Sequence, residues 1–434
     1  MKIFYYKGQN RNGFSRIISA VLLFAALLIT GFVAYQLFLV PKPLLKGTES
    51  FDFLSADKTV TLQGENIRSL EISIYQNGRK IDLLKDTPAG DKNTFTLRIR
   101  PKELALSDGT ANMLVSAEAG MFRKLKQDIK VVIDTTPPSL EALRVPEIIT
   151  QGGTGFAVLR ARDADAVFIA LEDKMFPAFP ADRGADYYVF FPVPFNVKET
   201  AVLRAVAKDK AGNRNVLSFH TAIKTARYRS SSITVSDMFI SAVASSLLNE
   251  TTVSDYESAF KKVNEELRAQ ALEKLLDISK QTEPKMLWDG AFLQMKNSKV
   301  MAGYGDKRTY MYKDRIISGS VHLGYDLASN AQAPAEAANS GLVRFAGDLG
   351  IYGNTVIIDH GMGLMSLYGH LSVINVSEGQ AVGKGDIIGR TGATGLAGGD
   401  HLHFGILVHG YEVSPLFWWD LHWIQVNVLE AITG

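Results

Sequence analysis

The sequence contains no cysteine. That absence excludes disulfides, thiolate-bound zinc, iron–sulfur clusters and thiol nucleophiles, so any metal must be held by histidine and carboxylate. It also fits a chain that works outside the reducing cytoplasm. An excess of charge of either sign is missing too: 47 basic and 45 acidic residues are interspersed along 434 positions, for a net charge of +2. No concentrated basic patch is left to serve as a nucleic-acid footprint, and nucleic acid is not expected as a partner. Histidine is scarce over most of the chain, with only His220 before His322, whereas seven of the eight histidines lie between His322 and His422. A local need for imidazole most often means a metal site.

What is present begins with an apolar run. From Ile17 to Val40, 24 residues carry no charge, and Pro41 follows. At ~1.5 Å per residue such a helix spans a hydrocarbon core of ~30 Å. Lys2, Lys7, Arg11 and Arg16 precede it without an acidic residue. The positive-inside rule therefore puts residues 1–16 in the cytoplasm and everything after Lys42 outside. The expectation is an uncleaved single-pass anchor at 17–40 in the bacterial inner (cytoplasmic) membrane, with the C-terminal region in the periplasm or outside the cell. A cleaved signal peptide is the alternative, but the run exceeds the usual ~7–15-residue apolar core and no small-x-small site follows.

Short alternating runs between turn signals occupy Leu44 to Ala226. Ser69–Tyr75 followed by Asn77-Gly78 is a hairpin signal. Asp134-Thr-Thr-Pro-Pro138 cannot continue a central strand and marks a boundary. The reading is two β-sandwich modules, 44–135 and 136–226, similar to bacterial immunoglobulin-like repeats and serving as spacers or as binders of a partner or polymer. The period then turns helical, with Phe239, Ile240, Val243, Leu247 and later Phe260, Val263, Leu267, Ala271, Leu275 and Ile278. Residues 232–283 read as a helical hairpin broken at 249–252, a packing or regulatory element lying over a groove. From 290 to 425 the chain is Gly-rich with strands at hairpin spacing, such as Asn354–His360, Leu364–His370 and His403–His409.

Within that region, alternate residues of a strand share a face, so His401 and His403 point at one site. His322 and Asp326 with His403 supply two nitrogens and a carboxylate oxygen, the three-ligand pattern of a catalytic zinc. Gly324 and Ser318-Gly-Ser320 argue against a helix there, so an extended turn must bring His322 and Asp326 together.

His322-x-Gly-x-Asp326, Leu367-Tyr-Gly-His-Leu371, Gly379-Gln-x-Val-Gly-Lys-Gly-Asp386, Gly392-x-Thr-Gly395 and Gly399-Asp-His-Leu-His-Phe404 resemble the lysostaphin-type zinc metallopeptidases that cut peptidoglycan cross-links. The likeness covers about 130 residues, from near Val300 to Trp419. It implies a compact antiparallel β metallopeptidase domain, zinc on His322, Asp326 and His403, and catalytic roles for His370 and His401. Arg308 and Tyr310, in the segment before the zinc motif, are implied substrate contacts. His360 and His409 fall outside the matched positions, and Trp418, Trp419 and Trp423 read as packing anchors. Gly379–Gly395 also resembles the hairpins of biotinyl and lipoyl carriers, which would not need five histidines. The expected whole is mainly β: an N-terminal transmembrane helix, two β-sandwiches, a helical hairpin and the metallopeptidase domain. The expected activity is zinc-dependent cleavage of peptidoglycan cross-links in cell-wall remodelling, the alternative being a non-catalytic wall-binding scaffold.

Overall fold

The structure, a computed structural model, describes residues 11–182, 184–250 and 252–433. Lys2, Lys7 and Thr251 lie outside the described residues. Helix α1 (Arg11–Ala34) continues through a π-helical turn, Tyr35–Leu39. The apolar stretch Ser15–Leu39 is 25 residues, long and apolar enough to cross a membrane. Its side chains are bare, with Leu22, Leu23 and Phe24 63–66% exposed, a surface that suits lipid and not water.

The rest of the chain forms two compact units. One runs to Pro137 and takes in Asp209–Asn213; the other is Pro138–Lys208 with Arg214 onward. The first is a sandwich of a five-stranded sheet (Phe53–Leu54, Arg123–Ile133, Gly109–Gly120, Ser69–Gln76, Arg79–Asp86) on a three-stranded one (Leu44–Lys46, Lys58–Glu65, Lys92–Ile99). Inward residues alternate along the strands and fill the core with Leu62, Leu70, Ile72, Ile74 and Met113, each worth ~1.5–3 kcal/mol on burial. Asn77 and Gly78 turn the Ser69–Gln76 hairpin with φ of 50° and 81°, as a primed turn requires. Asn213 joins this unit because its side chain donates to the Asp134 carbonyl and accepts from the Ala56 N–H.

In the second unit, four-stranded sheets (Phe179–Pro180, Asp186–Pro192, Thr154–Arg162, Ser139–Arg144 and Lys174–Pro177, Ala166–Leu171, Leu203–Lys208, Arg214–Phe219) make another sandwich. It is not a free-standing spacer. Ala157 and Leu159 face its own core, while Phe156, Val158 and Phe190 join the core of the C-terminal domain beside Trp288, Phe292 and Trp418.

Six strands position the site: β1 (Lys307–Tyr312), β2 (Arg315–Val321), β3 (Tyr325–Ala328), β4 (Leu364–Gly369), β5 (Leu402–Val408) and β6 (Tyr411–Val413). Strands β3, β5 and β4 are consecutive in an eight-stranded sheet, with β6 paired to β5. Every residue of β4 and β5 is buried, because both faces of this sheet are covered. One face carries Leu327, Leu364, Tyr368, Leu402, Phe404, Ile406 and Trp418. The other takes the helices.

Helix α2 (Asp237–Leu248) is capped by the Ser236 hydroxyl and stopped by left-handed Asn249. Helix α3 (Tyr256–Lys261) passes through a π turn, Lys262–Leu267, into α4 (Arg268–Ser279). Val263, Ala271, Leu275 and Ile278 bury against Ile357, Met365, Leu367 and Leu407 of the sheet and Leu349 beside it. Ser230–Thr234, partly inside the region read as helical, is instead a strand parallel to β1. Beyond residue 425 the chain stays helical to Thr433.

Candidate metal and catalytic site

The antiparallel register of β3 and β5 sets Asp326 opposite His403, and that of β4 and β5 sets Gly369 opposite His403. His322 leaves the end of β2, and the turn through Gly324 carries the chain into β3. Gly324 is required by proximity, since a Cβ there would lie 2.5 Å from His403 Nε2. His370 follows β4 in the left-handed region, φ 63°, held by its N–H on the Tyr352 carbonyl at 2.7 Å. A strained non-glycine residue of this kind persists only where its surroundings fix it.

Three donor atoms converge. Asp326 Oδ1 lies 2.9 Å from His322 Nε2 and 3.1 Å from His403 Nδ1, and the two nitrogens are 3.0 Å apart. His401 Nε2 is 3.4 Å from the same oxygen. The rings of His370 and His401 are 4.8 Å apart, and those of His370 and His403 5.8 Å. The five sequence-read residues therefore share one cavity of ≈ 120 Å³, lined also by Arg308, Tyr310, Tyr352 and Arg268.

The tautomers follow from the backbone. His322 Nδ1 faces the Gly303 carbonyl at 2.9 Å, His370 Nδ1 the Thr394 carbonyl at 2.8 Å, and His401 Nδ1 the Gly399 carbonyl at 2.8 Å. A carbonyl only accepts, so each Nδ1 carries the proton and each neutral ring keeps a lone pair on Nε2. His403 is turned the other way, with Nδ1 toward Asp326 and Nε2 buried without a partner against Gly324. The lone pairs of His322 Nε2 and Asp326 Oδ1 thus meet at 2.9 Å with His403 Nδ1 about 3 Å from both, a convergence of ligand atoms that a cation among them would bridge. Tetrahedral bonds of ~2.0 Å put ligand atoms about 3.3 Å apart, so the donor set fits a divalent metal, and the three ligand atoms lie within 4.8 Å of one another.

Electrostatics agree with that geometry. Burial opposes ionisation of Asp326, but the close imidazoles of His322, His401 and His403 outweigh it and hold the carboxyl well below its usual range. Burial, then the neighbouring histidines, pushes His370 down to about 3. Burial likewise takes His403 to about 4, so both rings stay neutral at pH 7. Burial also lowers His401, but Asp326 more than offsets this and raises it. Arg308, expected at the substrate, spends its guanidinium on Asp326 Oδ2 at 2.9 Å, which leaves Oδ1 for the cluster. Tyr310 is buried on Phe260, rings 4.9 Å apart, with its hydroxyl 3.2 Å from Ser320 Oγ.

Sequence reasoning missed a supporting set. The Tyr352 ring packs 5.3 Å from His403, and its hydroxyl donates to buried Glu412 on β6 at 2.5 Å. Burial pushes the Glu412 carboxyl up to about 7. No local spacing marks either residue, because packing alone brings residues 60 apart together.

His360 and His409 are elsewhere. His409 bonds the Phe190 carbonyl at 3.0 Å. His360 is fully buried, donating from Nδ1 to the Ser340 carbonyl and accepting at Nε2 from Ser366 Oγ, both at 2.7 Å. Burial takes it down to about 4. A depressed imidazole contributes stability that is complete above its unfolded pKa of ~6.5 and is lost as pH falls through the folded value. The loss is worth about 3 kcal/mol once both forms are charged. Thermal unfolding at pH 7 and pH 4.5 should show a smaller acid-induced fall in Tm for His360→Phe than for the parent chain. An equal fall would remove His360 from the acid response.

Residues 320–415 match the family described as Peptidase family M23. Over 96 residues the chain is 40% identical to the DD-carboxypeptidase/endopeptidase Mpg of Neisseria meningitidis serogroup B, covering 22% of each protein. Over 118 residues it is 32% identical to the peptidoglycan DD-endopeptidase ShyA of Vibrio cholerae serotype O1, covering 27% of each. Among solved structures, the catalytic domain of lysostaphin from Staphylococcus simulans is 32% identical, covers 28% of this chain and 90% of its own, and superposes with a TM-score of 0.24. The chain spans about a quarter of the length of these two curated relatives.

Proposed function

We propose, from the M23 peptidase domain this chain carries over residues 320–415, that the protein is a zinc-dependent endopeptidase hydrolysing peptide cross-links of bacterial peptidoglycan from a membrane anchor. The observation that carries this reading is the convergence of His322 Nε2, Asp326 Oδ1 and His403 Nδ1, with His370 and His401 beside them. In it, His322, Asp326 and His403 hold the zinc, and Arg308 orients Asp326. Bound zinc supplies Lewis acidity, which acidifies water toward neutral pH and polarises a carbonyl.

The remaining steps belong to the side chains. His370 and His401, with Nδ1 fixed by carbonyls, present Nε2 as an acceptor for the proton of the attacking water. Once protonated, the same atom donates to the leaving amine or to the oxyanion. Tyr352 fills the space beside His403, keeping that ring in place and water out. The 25-residue apolar stretch makes a single pass, and the basic residues before it favour a cytoplasmic N-terminus in the inner membrane, with the peptidase in the periplasm. A non-catalytic scaffold would have no need to retain all five polar residues of the cluster.

The test is incubation of detergent-solubilised full-length protein with purified sacculi. Release of cut cross-links, abolished by a chelator and restored by zinc, is the expected result. Absence of chelator-sensitive release from the zinc-loaded chain would favour the scaffold.

A further inference from the structure

The cavity that holds the histidine cluster is completed by a residue from outside the matched domain. Arg268 opens α4 and lines the cavity with Arg308, His370 and His401. Two cations therefore face the site, and they differ in what they have already bound. Arg308 is paired with Asp326. Among the described residues Arg268 has no carboxylate within ion-pairing distance: its Nε donates to the Asn264 carbonyl at 3.1 Å and one Nη to Asn264 Oδ1 at 2.8 Å. Its other Nη has no acceptor among the described residues.

The support beneath it is built. Asn264 is 1% exposed. Its Nδ2 donates to Ser318 Oγ at 2.8 Å and to the Gly319 carbonyl at 3.2 Å, on the strand that leads into His322. The amide thus ties the helix to β2 with its donor end and holds the guanidinium with its acceptor end. A long, flexible side chain costs rotamer entropy to fix, and among the described residues no carboxylate forms an ion pair with the charge so fixed. The buried acid on which its charge acts, Glu412, is pushed up to about 7 by burial and already bonded by Tyr352.

We infer that Arg268 is a specificity-determining contact that binds a carboxylate of the peptide substrate next to the scissile bond. This rests on the peptidase reading of the site. Guanidinium and carboxylate match as a planar fork, and stem peptides offer such a group either at the terminal D-amino acid or on the diamino acid. Asn264 is the positioning residue that presents the fork.

The experiment uses the zinc-loaded full-length chain and three cross-linked dimeric muropeptides: one with all carboxylates free, one amidated at the terminus, and one amidated on the diamino acid. The parent chain is expected to favour the free form over one of the two amides by about 10- to 100-fold in kcat/KM, the range for a hydrogen bond to a charged group. The amide that loses identifies which carboxylate is read. In Arg268→Gln that ratio falls toward one, the loss appears in KM and not kcat, and Arg268→Lys recovers part of it. Cleavage by the parent chain with no preference among the three overturns the inference while leaving the peptidase reading intact. So does a full preference in Arg268→Gln. Should Arg268→Gln fail to fold, Arg268→Lys with an undiminished preference overturns it equally. Failure of the zinc-loaded parent chain to cut any of the three overturns the peptidase reading first, and this inference with it.

Discussion

Replacing His322 with alanine is expected to remove metal binding and peptide hydrolysis together, and His403→Ala is expected to do the same. Each change deletes one of the three ligand atoms that, among the described residues, converge on a single point. The two atoms left cannot hold a divalent ion against water at ordinary concentrations, because catalytic zinc is kept by three protein ligands. Hydrolysis is expected to fall by ~10³-fold or more, since both the Lewis acid and the orientation of water go with the ion. The fold should survive. His322 loses one hydrogen bond, to Gly303, at about 1–3 kcal/mol, and the repulsion of facing lone pairs in the metal-free chain is relieved.

A second readout follows from mass action. Metal that binds only the folded chain raises its stability, so the parent chain should melt higher with zinc than with chelator, and both alanine variants should lose that gap. Elemental analysis that finds one zinc per chain in either variant would overturn the ligand assignment.

The second large effect separates the other pair. His401→Ala and His370→Ala should each keep zinc at one ion per chain and lose turnover by about 10²–10⁴-fold, the range for a general acid or base. His401 is the cleaner case. It is partly exposed and its Nε2 lies 3.4 Å from Asp326 Oδ1, outside the tight triad of 2.9–3.1 Å. His370 sits at φ 63°, so its alanine variant carries backbone strain as well and should also lose some Tm. Zinc content and kcat measured on the same samples decide the matter. Loss of zinc would make the residue a ligand, and hydrolysis at the parental rate would remove it from the reaction.

These assignments rest on a cluster that was legible from spacing because β structure is periodic. His401 and His403 differ by two, and the β3–β5 register then delivers Asp326 opposite His403. Gly324 could be read as a helix breaker, but its closeness to the His403 ring could not. What stayed hidden arrives by packing. Tyr352 and Glu412 meet across 60 residues, and Arg268 reaches the cavity only because α4 lies on the sheet. The helical period of Phe260 to Ile278 predicted an apolar stripe without saying what it covers. Ser230–Thr234 carries no strong strand pattern and is extended because β1 offers it an edge. Phe156-Ala-Val-Leu159, apolar at consecutive positions, is buried on both faces, and the shared core of the second sandwich is what that run records.

The helix that covers the eight-stranded sheet also bears on how this chain can be rearranged. The residues matching the family end at 320 and 415, yet the walls formed by Arg268, Arg308 and Tyr310 lie before them. So do Val263, Leu275 and Ile278, which cover Leu349, Ile357, Met365, Leu367 and Leu407. A cassette cut at the family boundaries would carry the metal ligands away intact but leave behind the roof of the sheet and one side of the cavity. Transplanted to another host protein, it would arrive with a sticky apolar face. In this chain the unit that recombination or domain swapping could move as a working piece begins before α2.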